Sequence, residues 1–138
     1  MVERRRILVD SGAIVAALDS RDQFHAASAP KFRGLPKPFH TCEAVISEAC
    51  FLLGESATAL DGLLGMIVDS VIVLDFSLAE HSGEVRSLMG KYSDIPMSLA
   101  DACLVRMSEI GKDSVIFTYD NDFSIYRRNG KEIIATLG

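Results

Sequence analysis

Four acidic residues lie where the surrounding sequence makes a charge costly. Asp10 and Asp120 each follow a short apolar run, while Glu48 and Asp101 lie inside apolar segments whose patterns predict helices. An unpaired buried carboxylate costs several kcal/mol or takes up a proton instead. A divalent cation bound where the four side chains converge would explain all of them together.

Each of these acids also has a purely structural explanation. Asp10 begins an Asp-Ser-Gly turn and could cap the helix that follows it. Asp101 could pair with Ser98 in a capping-box-like S-x-x-D pattern, which is compatible with a role in a site. Asp120 and Asp122 lie in a predicted loop, where exposed acids are common. Taken one at a time, these three positions leave both interpretations open.

Glu48 is the hardest of the four to explain structurally. Its helical neighbours three and four positions away are all apolar: Ala44, Val45, Phe51 and Leu52. This pattern predicts a mostly buried helix with the carboxylate pointing into an enclosed space. The alternative is an ion pair with a basic residue, but no lysine or arginine lies nearby in the sequence.

The types of the candidate ligands indicate which ion they would bind. Carboxylate oxygens favour Mg²⁺ or Mn²⁺, whereas zinc sites usually contain histidine or cysteine. The three histidines are isolated in the sequence, and the three cysteines lack metal-type spacing and are expected to be reduced core residues. Carboxylate-bound magnesium can activate water, and two such ions can clamp the attacking and leaving oxygens of a phosphodiester.

The elements that must position these residues alternate along the chain. Strands are predicted near residues 5–9, 39–41, 71–74, 115–118 and 132–136, with helices between them and a short helix within the loop 120–128. This alternation predicts an α/β fold: a single three-layer domain over residues 1–138, with a central parallel sheet of four or five strands flanked by helices. Asp10 and Asp120 leave strands at the carboxyl edge of such a sheet, where functional groups collect, and Asp101 starts a helix at the same edge.

Composition and charge place limits on the possible function. The chain has 138 residues, of which 49% are hydrophobic and 24% charged, enough for a well-packed core. No apolar run approaches the ~20 residues of a membrane span, and no secretory signal is visible, so a cytoplasmic location is expected. The net charge of −5 argues weakly against a nucleic-acid partner, yet setting aside the four acids and Asp122 leaves 14 acids and 14 bases. Basic clusters at residues 4–6, 31–37 and 127–131 are consistent with solvated surface or with a phosphate-binding rim.

Four segments, taken in order, resemble one known family. They read "ILVDSGAIVAALD", "AVISEACFLL", "YSDIPMSLADACLVRM" and "VIFTYDNDFSIYR". Together they cover essentially the whole chain and resemble PIN-domain ribonucleases, most of all the VapC-type toxins of bacterial toxin–antitoxin pairs. The resemblance places the family's acidic residues on Asp10, Glu48, Asp101 and Asp120. It gives supporting roles to Ser11 beside the first acid, to Thr118 in the T-x-D pattern, and to Asp122 through a water.

This resemblance implies a specific activity and specific partners. It implies Mg²⁺- or Mn²⁺-dependent hydrolysis of single-stranded or loop RNA that leaves a 3′-hydroxyl. The metal would be held chiefly by Asp10, Asp101 and Asp120, with Glu48 supplying a ligand or orienting water. It also implies a homodimer and a small antitoxin that occupies the site. The segment near Phe39 is weaker than the family's strand at this position.

Three other functions are compatible with the same pattern. The strand-like run before Asp75 resembles the phosphoacceptor strand of a receiver-type signalling domain, although Ser11 follows Asp10 where such domains have a second acid. A PIN module used only for binding would also have this fold, although the intact acids argue against that function. A PIN nuclease that processes RNA would act without an antitoxin, and a small neighbouring reading frame would favour the toxin instead.

Overall fold

The computed structural model describes residues 5–111 and 113–138. Arg4, which belongs to the first predicted basic cluster, lies outside these residues. Five parallel strands form the main sheet in the order β3-β2-β1-β4-β7, and two more form a separate antiparallel ribbon, β5-β6. The strands are β1 Arg6–Val9, β2 Phe39–Thr41, β3 Ile72–Leu74, β4 Ser114–Phe117, β5 Arg127–Arg128, β6 Glu132–Ile133 and β7 Thr136–Leu137.

The central strands are apolar because both faces of the sheet are covered. Leu8, Val9, Ile116 and Phe117 have no exposed surface, which is the pattern of a parallel strand buried on both sides. β1 pairs in parallel with β4, with Leu8 opposite Ile116, and with β2 on its other side. The predicted α/β fold with a central parallel sheet of four or five strands is therefore confirmed, including the short second strand beginning at Phe39.

Six helices flank the sheet, and side chains next to them fix where several begin. They are α1 Ser11–Leu18, α2 His25–Gly34, α3 Glu43–Leu53, α4 Ala57–Val68, α5 Leu78–Lys91 and α6 Leu99–Ile110. The hydroxyls of Ser56, Ser77 and Ser98 each accept a backbone N–H three residues further on, at the starts of α4, α5 and α6. In α6, eight of the twelve residues are buried, so this helix is held firmly in the core.

Two sequence-based predictions about local structure are wrong. The predicted last strand, residues 132–136, is two separate strands: Glu132–Ile133 pairs with β5, and Thr136–Leu137 joins the main sheet beside β4. Between these two strands Ile134 is buried, whereas Ile133 in β6 is 74% exposed. Helix α3 is also less buried than predicted, since Phe51 is 84% exposed near its end.

Within the described ranges, none of the helices combines the length and the apolar character that spanning a bilayer requires. The three cysteines are unpaired thiols; Cys42 and Cys103 are buried, and Cys42 is the residue directly before α3. The single-domain organisation over residues 1–138 stays a prediction.

Candidate active site

The sheet brings two of the four acids to one edge. Asp10 follows β1 directly, and Asp120 comes three residues after the end of β4. β1 and β4 are parallel neighbours, and the backbone N–H of Asp10 donates to the carbonyl oxygen of Phe117 at 3.0 Å. Both carboxylates therefore lie beyond the carboxyl ends of adjacent strands, where parallel α/β sheets place their functional groups.

Asp10 combines the capping role and the predicted site position. It caps α1 by accepting the backbone N–H of Ser11 at 2.7 Å, and its other oxygen accepts the hydroxyl of Thr118 at 2.8 Å. The side chain is almost completely buried. Burial raises the pKa of Asp10 to about 6; the two hydrogen bonds oppose this rise, while the charges of Glu48 and Asp120 add to it.

Glu48 reaches the same site from the second turn of α3. Its carboxylate accepts the hydroxyl hydrogen of Ser11, which also donates its backbone N–H to Asp10 and so lies between the two acids. Among the described residues, Glu48 forms no ion pair, and its side chain is half-buried rather than enclosed as predicted. The ion-pair alternative therefore finds no partner in this part of the chain.

Asp101 approaches from the first turn of α6. Its backbone N–H donates to the hydroxyl of Ser98 at 3.0 Å, so the predicted capping interaction is present. Its buried carboxylate accepts the hydroxyl of Tyr126 at 3.1 Å. Burial raises the pKa of Asp101 to about 6, and the negative charge of Asp10 adds to this rise. The hydrogen bond from Tyr126 opposes the rise, and the charges of Asp120 and Glu48 make smaller contributions to it.

Asp120 is the most exposed of the four acids. Its backbone N–H donates to the hydroxyl of Thr118 at 3.0 Å, and its carboxylate accepts the backbone N–H of Asp122 at 2.9 Å, capping the 3₁₀ helix Asn121–Ser124. Thr118 thus joins Asp10 to Asp120 through one hydroxyl. Asp122, predicted to assist through a water, contacts Asp120 through its backbone.

A cavity of about 250 Å³ opens beside these groups. Three of the four acids line it, together with small, polar and aromatic residues; the lining consists of Asp10, Ser11, Gly12, Asp22, Gln23, Phe24, Glu48, Tyr119 and Asp120. Asp101 does not line the cavity, but the negative charges of Asp10, Glu48 and Asp120, which do line it, each act to raise the pKa of Asp101. The volume is enough for a hydrated ion and part of a ligand, since water occupies about 30 Å³ per molecule.

The donor set fits a hard cation, but the ligands are not preassembled. Across residues 5–111 and 113–138, no three acidic, histidine or cysteine side chains lie close enough together to form a ready metal-binding group. The carboxylate oxygens instead accept hydrogen bonds from Ser11, Thr118, Tyr126 and the Asp122 backbone. A set made only of oxygen donors, in which burial and neighbouring negative charges raise the pKa of Asp10 and of Asp101, suits Mg²⁺ or Mn²⁺.

Sequence reasoning missed Tyr126 and the aromatic wall of the cavity. Tyr126 is fully buried and packs against Tyr92 and Phe123, which gives it the appearance of an ordinary core residue. Only the fold shows that its hydroxyl meets Asp101, 25 positions earlier in the chain. Phe24 lines the cavity from a turn that carries no site motif, and Tyr119 is the variable middle residue of the T-x-D pattern.

The basic clusters largely serve the protein's own structure. Arg6 pairs with Asp75 at 3.1 Å, Lys37 donates to backbone carbonyl oxygens in the last turn of α2 and directly after it, and Arg128 donates to the carbonyl oxygen of Ser108 at 2.7 Å. Cations near helix carboxyl ends satisfy carbonyl groups that have no partner inside the helix. The phosphate-binding rim stays a prediction.

The position of Asp75 does not match a receiver-type phosphoacceptor. β3 lies at the edge of the sheet, separated from β1 by β2, so Asp75 is distant from Asp10. Its two oxygens bind Arg6 at 3.1 Å and His40 at 2.7 Å. Partial burial acts to raise the pKa of Asp75, but the hydrogen bonds from His40 and Arg6 outweigh it and lower the pKa.

Comparisons with known proteins agree with this geometry. The PIN domain family model matches residues 7–129. No curated protein sequence matches the chain. Among solved structures, the fold is similar to that of VapC20 from Mycobacterium tuberculosis, a toxin that cleaves the sarcin–ricin loop, with a TM-score of 0.76, 17% sequence identity, and coverage of 86% of this chain and 93% of that one. Because the family match spans most of the sequence, this chain belongs to the PIN-domain family.

Proposed function

We propose that this protein is a metal-dependent endoribonuclease that hydrolyses RNA phosphodiester bonds in the cytoplasm. The observation that carries the proposal is the convergence of acids from distant parts of the chain: Asp10, Glu48 and Asp120 line one cavity, and burial together with the neighbouring charges raises the pKa of Asp10 and of Asp101. Neighbouring carboxylates that resist ionisation occur preferentially at functional sites. Membership of the PIN-domain family supports the same conclusion.

Asp10, Asp101 and Asp120 are proposed to hold Mg²⁺ or Mn²⁺, and Glu48 to supply a further carboxylate. When bound, the ion would neutralise phosphate charge and lower the pKa of a water molecule. The acids alone would repel an RNA backbone, so binding of cation and substrate should be linked.

Neighbouring side chains hold these carboxylates in place. The Thr118 hydroxyl orients Asp10, Ser11 positions Glu48, and the Tyr126 hydroxyl holds Asp101. Supporting hydrogen bonds of this kind fix ligand orientation and raise affinity. In the proposed reaction a water attacks phosphorus in line with the O3′ leaving group, one of the carboxylates accepts the water's proton, and the products carry a 3′-hydroxyl and a 5′-phosphate.

We further propose that the enzyme is the toxin of a type II toxin–antitoxin pair, acting as a homodimer and inhibited by a small antitoxin. The similarity of its fold to that of VapC20 supports this proposal. Exposed apolar side chains on α3 and α4 are consistent with a protein partner: Phe51, Leu52, Leu64 and Val68. A small adjacent gene with a DNA-binding pattern would support the toxin, and its absence would favour RNA processing without an antitoxin.

The decisive experiment is cleavage of a panel of structured and unstructured RNAs with Mg²⁺, Mn²⁺ or chelator. We expect cleavage with either metal and none with chelator. Asp10→Asn and Asp101→Asn should abolish cleavage while thermal unfolding stays cooperative. Asp61→Asn, which removes an exposed carboxylate on α4, is the matched control and should cleave normally. Full activity in the two site variants would refute the assignment, and absence of cleavage by the wild type would favour a binding-only module.

A further inference from the structure

An aromatic pair forms one wall of the cavity beside the acids. The rings of Phe24 and Tyr119 stack with centroids 4.5 Å apart and planes inclined by 4°. Both residues line the same cavity as Asp10, Glu48 and Asp120. The proposed chemistry assigns no role to either ring.

Local structure holds this pair next to the acids. Tyr119 lies between Thr118 and Asp120, the two residues whose side chains and backbone connect the strand end to the site. Its ring also meets Phe117 edge to face, with centroids 5.9 Å apart. Phe24 is held by its backbone N–H, which donates to the carboxylate of Asp22 at 2.8 Å. The two rings are therefore fixed in place before any ligand binds.

Packing alone accounts for Tyr119 better than for Phe24. Tyr119 lies between Phe24 and the core residue Phe117. Phe24 remains 37% exposed at the cavity. Within the described residues the Tyr119 hydroxyl is buried without a hydrogen-bond partner, so this wall also carries an unused polar group. An exposed aromatic ring on a rigid support offers a π-face to a planar ligand.

We propose that the ring of Phe24, supported by Tyr119, stacks an unpaired base of the substrate RNA next to the scissile phosphate. The inference rests on the proposed ribonuclease function and specifies how its substrate is bound. Every base has a π-face, so such a platform tolerates sequence variation but requires a base that is free of its helix. The site would thus select single-stranded or loop RNA near the cleavage point.

Abasic substitutions in a cleaved RNA test this proposal directly. With the wild-type enzyme, removing one base next to the cleavage site should lower kcat/KM by about 5- to 150-fold, the usual range for a base stacked on an aromatic ring. Phe24→Leu should cause a loss of similar size on intact RNA but no further loss on the RNA that lacks that base. Phe24→Trp should retain the wild-type pattern, because it keeps the π-face.

Ile133→Ala is the control, since it removes an exposed apolar side chain that does not line the cavity and should not change cleavage. A melting curve identifies a Phe24 variant that fails to fold, and the abasic series on wild-type enzyme remains informative in that case. If the wild type cleaves RNA but no abasic position matters, or if Phe24→Leu is still sensitive to the same missing base, the stacking proposal is wrong. If the wild type cleaves no RNA, the proposed function itself fails.

Discussion

Replacing Asp101 by Asn should stabilise the metal-free protein at neutral and alkaline pH. Asp101 is 6% exposed, and the pKa of its carboxyl group rises from 3.8 to about 6 on folding. A shift of this size corresponds to about 3 kcal/mol of unfavourable free energy in the folded protein once the group is ionised. Asn removes the charge and keeps an oxygen that can accept the Tyr126 hydroxyl.

The direction of the pH dependence follows from proton binding. Below pH 3.8 the carboxyl group is protonated in both the folded and the unfolded chain. Between that pH and about 6 the folded protein binds more protons than the unfolded one, so the wild type loses stability as pH rises. Above about pH 6 the loss from Asp101 is complete. The Asn variant has no such loss, so its advantage should grow through this window and then stay constant.

Urea and thermal unfolding in chelator from pH 4 to 8 would measure the effect. At pH 8 we expect Asp101→Asn to be more stable by about 1–3 kcal/mol, less than the full value because the buried amide keeps a desolvation cost. This corresponds to a rise of about 4–12 °C in Tm for a domain of this size. Near pH 4 the gain should be close to zero. Asp61→Asn removes an exposed charge and controls for the change in net charge. A destabilised variant at pH 8, or an equal gain at both pH values, would refute the reasoning.

The remaining predictions concern the cation and two supporting hydroxyls. Saturating Mn²⁺ should raise the Tm of the wild type and leave that of Asp101→Asn nearly unchanged, because a ligand stabilises only the form that binds it. If calorimetry shows that Mn²⁺ raises the Tm of both proteins equally, Asp101 is not a ligand. Thr118→Val removes the hydroxyl shared by Asp10 and Asp120 and should lower cleavage by about 10- to 100-fold, whereas Thr118→Ser should retain it. Tyr126→Phe should raise the pKa of Asp101 further, since it removes a hydrogen bond to the charged form. An NMR titration without metal measures this pKa, and an unchanged or lower value in the variant would contradict the prediction.

Local sequence signals predicted most of the fold. The S-x-x-E pattern starting at Ser77 and the S-x-x-D pattern starting at Ser98 each predict the start of a helix, because a serine hydroxyl satisfies a backbone N–H within the next turn. Helices α5 and α6 begin directly after these two serines. A glycine after an apolar helical run also predicts the end of a helix, and Gly54 and Gly111 directly follow α3 and α6. Continuous apolar runs identified the central strands because a parallel sheet buries both faces.

Features that depend on contacts distant in sequence could not be predicted. The division of the last strand depends on which neighbours Ile133 and Thr136 pair with, and alternation alone does not specify them. The exposure of Phe51 shows that an apolar helix can leave part of its surface uncovered. The hydrogen bond from Tyr126 to Asp101 joins residues on different elements, and no spacing rule identifies such a pair.

The structural and functional explanations of the acids turn out to be complementary. Asp10 caps α1, and the first turn of α6 holds Asp101, so each carboxylate lies at the positive end of a helix dipole. That field favours the charged form, yet both pKa values remain raised because burial and mutual repulsion are larger. A capped helix start therefore fixes where each carboxylate lies without neutralising it. Positioned, incompletely compensated negative charge beside an open cavity is what a divalent cation would bind.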